Sequence, residues 1–261
     1  MKFYRIKGII LRFLYQFRHS FDRLSDVFYW PTIDLLLWGL TSQFFKSIAP
    51  GAEKILVTII MGILFWIVAW RGQYEISVNL LEDLWNENFI NIFVSPLRFS
   101  EWVISFLIIG LIKAIISLSF ASLVAYILYR VHIFGFGFLL LPFLLSLLLM
   151  GWWVGFFVAG LILRYGTRVQ TFAWTLVMVL SPFSAISFPV SILPTWAQYI
   201  SRIIPASYVF EGAREILYTG KFNPDYLLFS YILNFIYLIL GYIFLWQSFK
   251  QVLKRGMVHL Y

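Results

Sequence analysis

Cysteine is absent from the 261 residues, which excludes disulfides, thiolate metal sites and a cysteine nucleophile. Charge is scarce: Asp, Glu, Lys and Arg together make only 12% of the chain. The pattern G-x-x-x-x-G-K-[ST] occurs nowhere, so the chain has no loop of the kind that cradles nucleotide phosphates. Neither G-x-S-x-G nor H-E-x-x-H is present. His19, His132 and His259 stand far apart, which argues against a histidine metal cluster. No catalytic residue, metal ligand or bound cofactor is expected on this chain.

What is present points to lipid. Apolar residues make 61% of the sequence and aromatics 21%, more apolar surface than a soluble domain of this size can hide. Trp and Tyr favour membrane interfaces. The net charge of +8 reads in such a chain as basic ends rather than as a nucleic-acid footprint, and no nucleic-acid partner is expected. A spanning helix needs about 20 mainly apolar residues. Six segments qualify, near 27–46, 55–71, 102–128, 138–163, 169–188 and 226–248. Pro31, Pro142 and Pro182 fall in or near spans, where they are tolerated. The expectation is an all-α membrane protein, one domain over 1–261. Thirteen Lys and Arg fall on the N-terminal side of that arrangement and six on the other, with Lys113 inside a span. The positive-inside rule then predicts both termini in the cytoplasm.

Lys2, Arg5, Lys7, Arg12, Arg18 and Arg23 interrupt every apolar run before residue 24, so this stretch does not read as a cleavable signal peptide. Phe3, Ile6, Ile10, Phe13, Phe17 and Phe21 recur at helical spacing. They predict a basic amphipathic helix, lying on the anionic leaflet or packed on protein. Gly151, Gly155 and Ala159 form one small-residue stripe, and Gly110, Ala114, Ser117, Ala121 and Ala125 another; such stripes let membrane helices approach closely.

Two connections are unusual. From Arg71 to Glu101 the chain carries two positive and five negative charges, an acidic island on a basic face. Ile76, Leu80, Leu81, Leu84, Ile90 and Phe93 predict a short amphipathic helix there, with Glu75, Glu82, Asp83 and Glu87 at its other positions. Acidic groups are repelled by anionic headgroups, so the segment suits a protein partner or a solvated helical hairpin. On the opposite side, Pro189, Pro194 and Pro205 cut an apolar stretch into pieces too short to span. A re-entrant or interfacial helical pair is predicted at about 194–203 and 206–218. Glu211, Arg214 and Glu215 share one helix face there and can pair along it or stay solvated.

Two ionisable groups fall inside spans, Asp34 and Lys113. Charges at membrane depth are costly and face protein or water. The pair is read either as an ion pair between the first and third spans, or as an acid facing an inner water cavity and a lysine that snorkels.

The run from Glu82 to Leu97 (EDLWNENFINIFVSPL) resembles the segment between spans two and three of ABC-2-type transporter permeases. The stretches from Phe188 to Pro194 (FPVSILP) and from Ile203 to Arg214 (IIPASYVFEGAR) are similar to that family's signature between spans five and six. Arg23, Asp26, Tyr29, Trp30, Pro31, Trp38 and Gly39 look like its first-span entry. The resemblance implies a permease that pairs with a second copy or a sister chain. It would receive two copies of a separate ATPase subunit, which would hold ATP and magnesium. It implies a coupling helix with Glu82, Asp83, Trp85, Glu87, Phe89 and Phe93 against the ATPase. It implies an outer gate at Pro189, Pro194, Pro205, Tyr208, Glu211 and Arg214. Cargo would be a drug, lipid or lipid-linked glycan, exported across a bacterial or archaeal inner membrane. Two other classes compete. An intramembrane lipid-modifying enzyme needs convergent His, Asp or Ser groups, which the sequence does not offer at one depth. An ATP-independent channel or secondary transporter often shows internal repeats, and none is visible.

Overall fold

The computed structural model describes residues 1–48 and 53–255. Among them there is no strand. The helices are α1 (Phe3–His19), α2 (Phe21–Ile48), α3 (Glu53–Trp85), α4 (Phe89–Val94), α5 (Phe99–Tyr129), α6 (Leu140–Tyr165), α7 (Phe172–Leu180), α8 (Thr195–Arg202), α9 (Pro205–Thr219) and α10 (Pro224–Arg255). The chain is an all-helical, multi-pass membrane protein. Four stretches are long and apolar enough to cross a bilayer: Lys54–Trp85, Phe99–Tyr129, Ile133–Val169 and Pro224–Lys254.

The other two expected spans differ from these four. α2 has 28 residues, ample length, but Asp34 and its polar neighbours keep it below the apolar character of the rest. α7 has nine residues, about 14 Å at 1.5 Å per residue, roughly half the hydrocarbon thickness. Its ladder gives way to a 3-10 turn at Pro182–Ser184, where Pro182 has no amide hydrogen to donate. Ala185 then turns left-handed at φ 55°, and the chain leaves the helix.

α6 lies between α3 and α10, with α5 on the far side of α3 and α2 against both α3 and α5. α3 is the most enclosed of the four apolar helices and α10 the most open. The small-residue stripe of α6 faces α3 as expected. A Cβ built on Gly151 would stand 2.4 Å from the Ala69 carbonyl oxygen, and one on Gly155 2.9 Å from Ile76 Cδ1. The two backbones touch there. The stripe on α5 is buried as well, and α2 lies along its far end. Ser117 Oγ donates to the Val27 carbonyl at 3.1 Å and the Tyr129 hydroxyl to that of Leu35 at 2.9 Å.

The main departure is at the end of the second span, expected near residue 71. No proline interrupts 53–85, and α3 runs on for 33 residues, about 50 Å. Arg71, Glu75, Glu82 and Asp83 do not leave the bundle with it; they are buried or half-buried in ion pairs. The single amphipathic helix expected between Ile76 and Phe93 is thus divided. Glu82 to Trp85 form the last turn of α3, and α4 is a separate helix of six residues. Between them the Asn88 amide donates to the Asp83 carbonyl and the Glu87 amide to that of Leu84, a Schellman turn. Its left-handed position, usually glycine, is Glu87 at φ 54°.

Candidate functional site

The acidic island closes on the N-terminal helix. α1 lies along α5 and buries Ile6 and Phe13, so the middle of its predicted apolar face is packed on protein. Its two ends, Phe3 and Phe21, remain exposed, as do Tyr4, Leu11 and Tyr15. Basic residues of α1 and α2 reach the acids across this contact. Arg12 pairs with Asp83 and Arg23 with Glu82, while Arg5 stands 3.5 Å from Glu101. The Lys2 amide donates to Glu101 at 2.7 Å. With its amide oxygen turned toward the guanidinium, Asn88 accepts from Arg12 at 3.0 and 3.2 Å. A protein partner for four of the five acids is therefore found within the chain itself.

Deeper in the bundle, Lys113 Nζ reaches Glu75 Oε2 at 2.5 Å. Arg71 stands 3.8 Å from the other Glu75 oxygen and donates to Asp26 Oδ2 and to the Asp26 carbonyl, both at 2.6 Å. This corrects the pairing of Lys113 with Asp34: the partner is Glu75, one helix over. Asp34 lies on the opposite, exposed side of α2. Glu75 was legible in one respect, since it stands four residues after Arg71 on the same helix, a spacing that places the two side chains together.

These pairs decide what α4 and its turn can offer. Asp83 and Phe89 are fully buried, and Glu82 is held by Arg23. Trp85 (48% exposed), Glu87 and Val94 (77%) face outward; the Phe93 side chain lies outside the described set. Beside them a groove of about 380 Å³ runs between α1 and α4, lined by Arg5, Gly8 and Arg12 on one wall and Asn88, Asn91 and Pro96 on the other. The contribution of α1 to this surface was not apparent in the sequence.

The opposite end holds the proline-cut segment. α8 and α9 fall close to the predicted bounds. Pro205, at the first turn of α9, needs no helical partner for its nitrogen, and Gly220 at φ 71° closes the helix. α9 packs on α10, α6 and α3. Arg214 pairs with Glu211 at 2.9 Å and donates to the Ala185 carbonyl at 2.7 Å, while Glu211 accepts from the Val190 amide at 2.6 Å. Burial lowers the Arg214 guanidinium from its ordinary pKa, and the neighbouring Glu211 carboxylate works the other way. The pair thus ties the irregular chain after α7 to α9. It also lines a cleft of about 610 Å³ with Ile55, Thr58, Pro189 and Tyr218. Pro194 and Tyr208 lie outside that lining. Pro194 precedes α8, and the Tyr208 hydroxyl donates to the Arg202 carbonyl at 2.8 Å, bracing the α8–α9 corner.

Glu211→Ala is expected to free the Val190 amide and strand Arg214, costing about 1–3 kcal/mol. Hydrogen exchange should show the Val190 amide losing protection while the α6 core keeps its own. Unchanged protection at Val190 would mean the pair does not hold this segment.

A comparison with curated proteins finds no match to the chain. A family model for the ABC-2 type transporter matches residues 13–218, which takes in the acids of the ion-paired end, α4, the proline-cut segment and most of the apolar helices between them. The chain belongs to the ABC-2 type transporter family.

Proposed function

We propose that this permease exports an amphipathic cargo across an inner membrane, driven by a separate ATPase subunit that docks on the α4 end. The carrying observation is the continuity of α3. At one end Ile55 and Thr58 line the cleft beside α9; at the other, Trp85 and the Glu87 turn lead into α4. A stiff helix about 50 Å long, seated backbone to backbone on α6, transmits a push at one end as rigid-body movement at the other. ATP and magnesium belong to the docking subunit, one per permease copy, and two permease copies form the complex. The basic N-terminal helix and the closing turns of α10 meet the start of α5, through Lys2 on Glu101 and Phe99 against Trp246 and Phe249. That common end supports both termini on the cytoplasmic side with α4.

Docking then falls to Trp85, Glu87 and Val94. Glu82 and Asp83 shape the surface by holding α1 beside it. Trp85→Ala combined with Val94→Asp is expected to weaken capture of the ATPase and its stimulated rate about tenfold or more, the range of an interface anchor, with the permease's melting unchanged. Full capture and full stimulation by this double variant would remove the docking role from α4.

A further inference from the structure

We propose that Asp34, with Trp30 and Trp38 on either side of it, is a binding station for the cationic group of the cargo. The assignment rests on the permease reading above and narrows its cargo class to lipophilic cations.

The orientation of α2 fixes the station. Val27, Pro31, Leu35, Gly39 and Ser42 are buried against the bundle, and the Cβ that Gly39 lacks would fall within 2.5 Å of the Tyr129 ring. That contact leaves α2 little freedom to rotate. Asp34 is therefore held on the outward side, midway along the 28-residue helix. It has no hydrogen-bond or ion-pair partner among the described residues, whereas Asp26, two turns earlier, is bound to Arg71.

A carboxylate directed into hydrocarbon is costly. Such groups face a water-filled path or a partner of opposite charge. The flanking side chains select between ligand types. Trp30 and Trp38 lie one helical turn below and above Asp34, and both are exposed, 54% and 46%. Indole is the side chain with the strongest attraction for a cation over its face. An acid between two open indoles matches a delocalised or quaternary cation carrying apolar groups. It repels an anion of the same shape.

The test uses two probes alike in shape and opposite in charge, tetraphenylphosphonium and tetraphenylborate, with the purified chain in phosphatidylcholine nanodiscs and empty discs subtracted. The wild type is expected to bind the cation, with protein-dependent binding of the anion at least tenfold weaker. Asp34→Asn should lose that preference about tenfold and Asp34→Glu should keep it. Trp30→Ala with Trp38→Ala should weaken cation binding while the carboxylate remains. Equal binding of both probes by the wild type, or an Asp34→Asn chain that folds and binds the cation as before, overturns the assignment. So does a second copy seated on this face: Leu37→Cys, in a chain with no other cysteine, would cross-link fully to its twin and the cation would find no protein-dependent site. A chain that stimulates its ATPase normally yet shows no charge preference sinks the station and leaves the permease reading intact. One that binds the cation yet captures no ATPase does the reverse.

Discussion

Glu75→Gln is expected to lower the stability of the purified protein by about 3–5 kcal/mol, the usual cost of stranding a buried charge. Lys113 Nζ and Glu75 Oε2 are 2.5 Å apart with side chains 5% and 1% exposed, so no water is at hand to replace the lost carboxylate. Arg71 keeps Asp26, but among the described residues Lys113 is left with only the Phe17 ring, 5.2 Å from its nitrogen. The second half of the experiment is Lys113→Met in the Glu75→Gln background. Removing both charges should recover most of the loss, because a well-packed apolar pair is often as stable as a buried ionic one. Melting of the detergent-solubilised variants, read as a double-mutant cycle, gives the coupling directly. Additive losses at Glu75 and Lys113 would dissolve the pair. The same cycle between Asp34→Asn and Lys113→Met should show no coupling, since the two residues lie on opposite sides of α2.

Gly151→Val is expected to have the second large effect. Even the first carbon of a side chain at this position would meet the Ala69 carbonyl oxygen at 2.4 Å, the Gly72 Cα at 2.9 Å and the Gln73 nitrogen at 3.0 Å. These are backbone atoms of α3 and cannot rotate away. Accommodation requires α3 and α6 to separate, and overpacking of this kind costs about 1–3 kcal/mol, occasionally more. Branching at Cβ leaves the added methyls no route around the obstruction. Folded yield and melting should both fall, and stimulated ATPase activity should fall further than stability, because α3 would lose the seat that keeps it rigid. Gly8→Ala serves as the control: nothing lies within 4 Å of its missing Cβ. Wild-type melting in Gly151→Val would show that α3 and α6 do not meet in the way described.

How much of this was visible in the sequence depended on whether the signal was local. Pro194 and Pro205 act on their own backbone, and the helices at 195–202 and 205–219 fall within a residue of the expected bounds. The small-residue stripes were equally legible, because spacing alone sets a helix face. The end of α3 was not. Arg71, Glu75, Glu82 and Asp83 read as a chain leaving the membrane, since nothing nearby reveals that each has a counter-charge 38 to 71 positions away, or 45 in the case of Arg71. For the same reason the acidic island looked like a surface awaiting a partner, when basic residues of α1 and α2 already hold three of its acids. Lys113 was read either as paired with Asp34 or as snorkelling, because Glu75, its partner, fell beyond the expected end of the second span. Glu87 was placed on a helix face because a left-handed glutamate leaves no mark in composition. The family likeness carried by Glu82–Leu97 and Phe188–Arg214 was sound because it drew on several residues in order rather than on any one charge.

The Lys113–Glu75 contact also bears on how the protein is built. A lone lysine midway along a helix makes its transfer from the translocon into lipid dearer by about 2.5–3.5 kcal/mol, and α3 brings both Arg71 and Glu75 to the same step. Released alone, α5 would enter the bilayer with an unmatched lysine, while on α3 Arg71 and Glu75 offset each other. Released as an antiparallel hairpin, with the short α4 turn between them, they enter with lysine and glutamate already joined. During biogenesis the smallest piece of this polypeptide that can leave the insertion machinery with that lysine neutralised is thus the stretch from Glu53 to Tyr129. The basic helix α1, although made before that hairpin, has to wait for it before it can find its counter-ions.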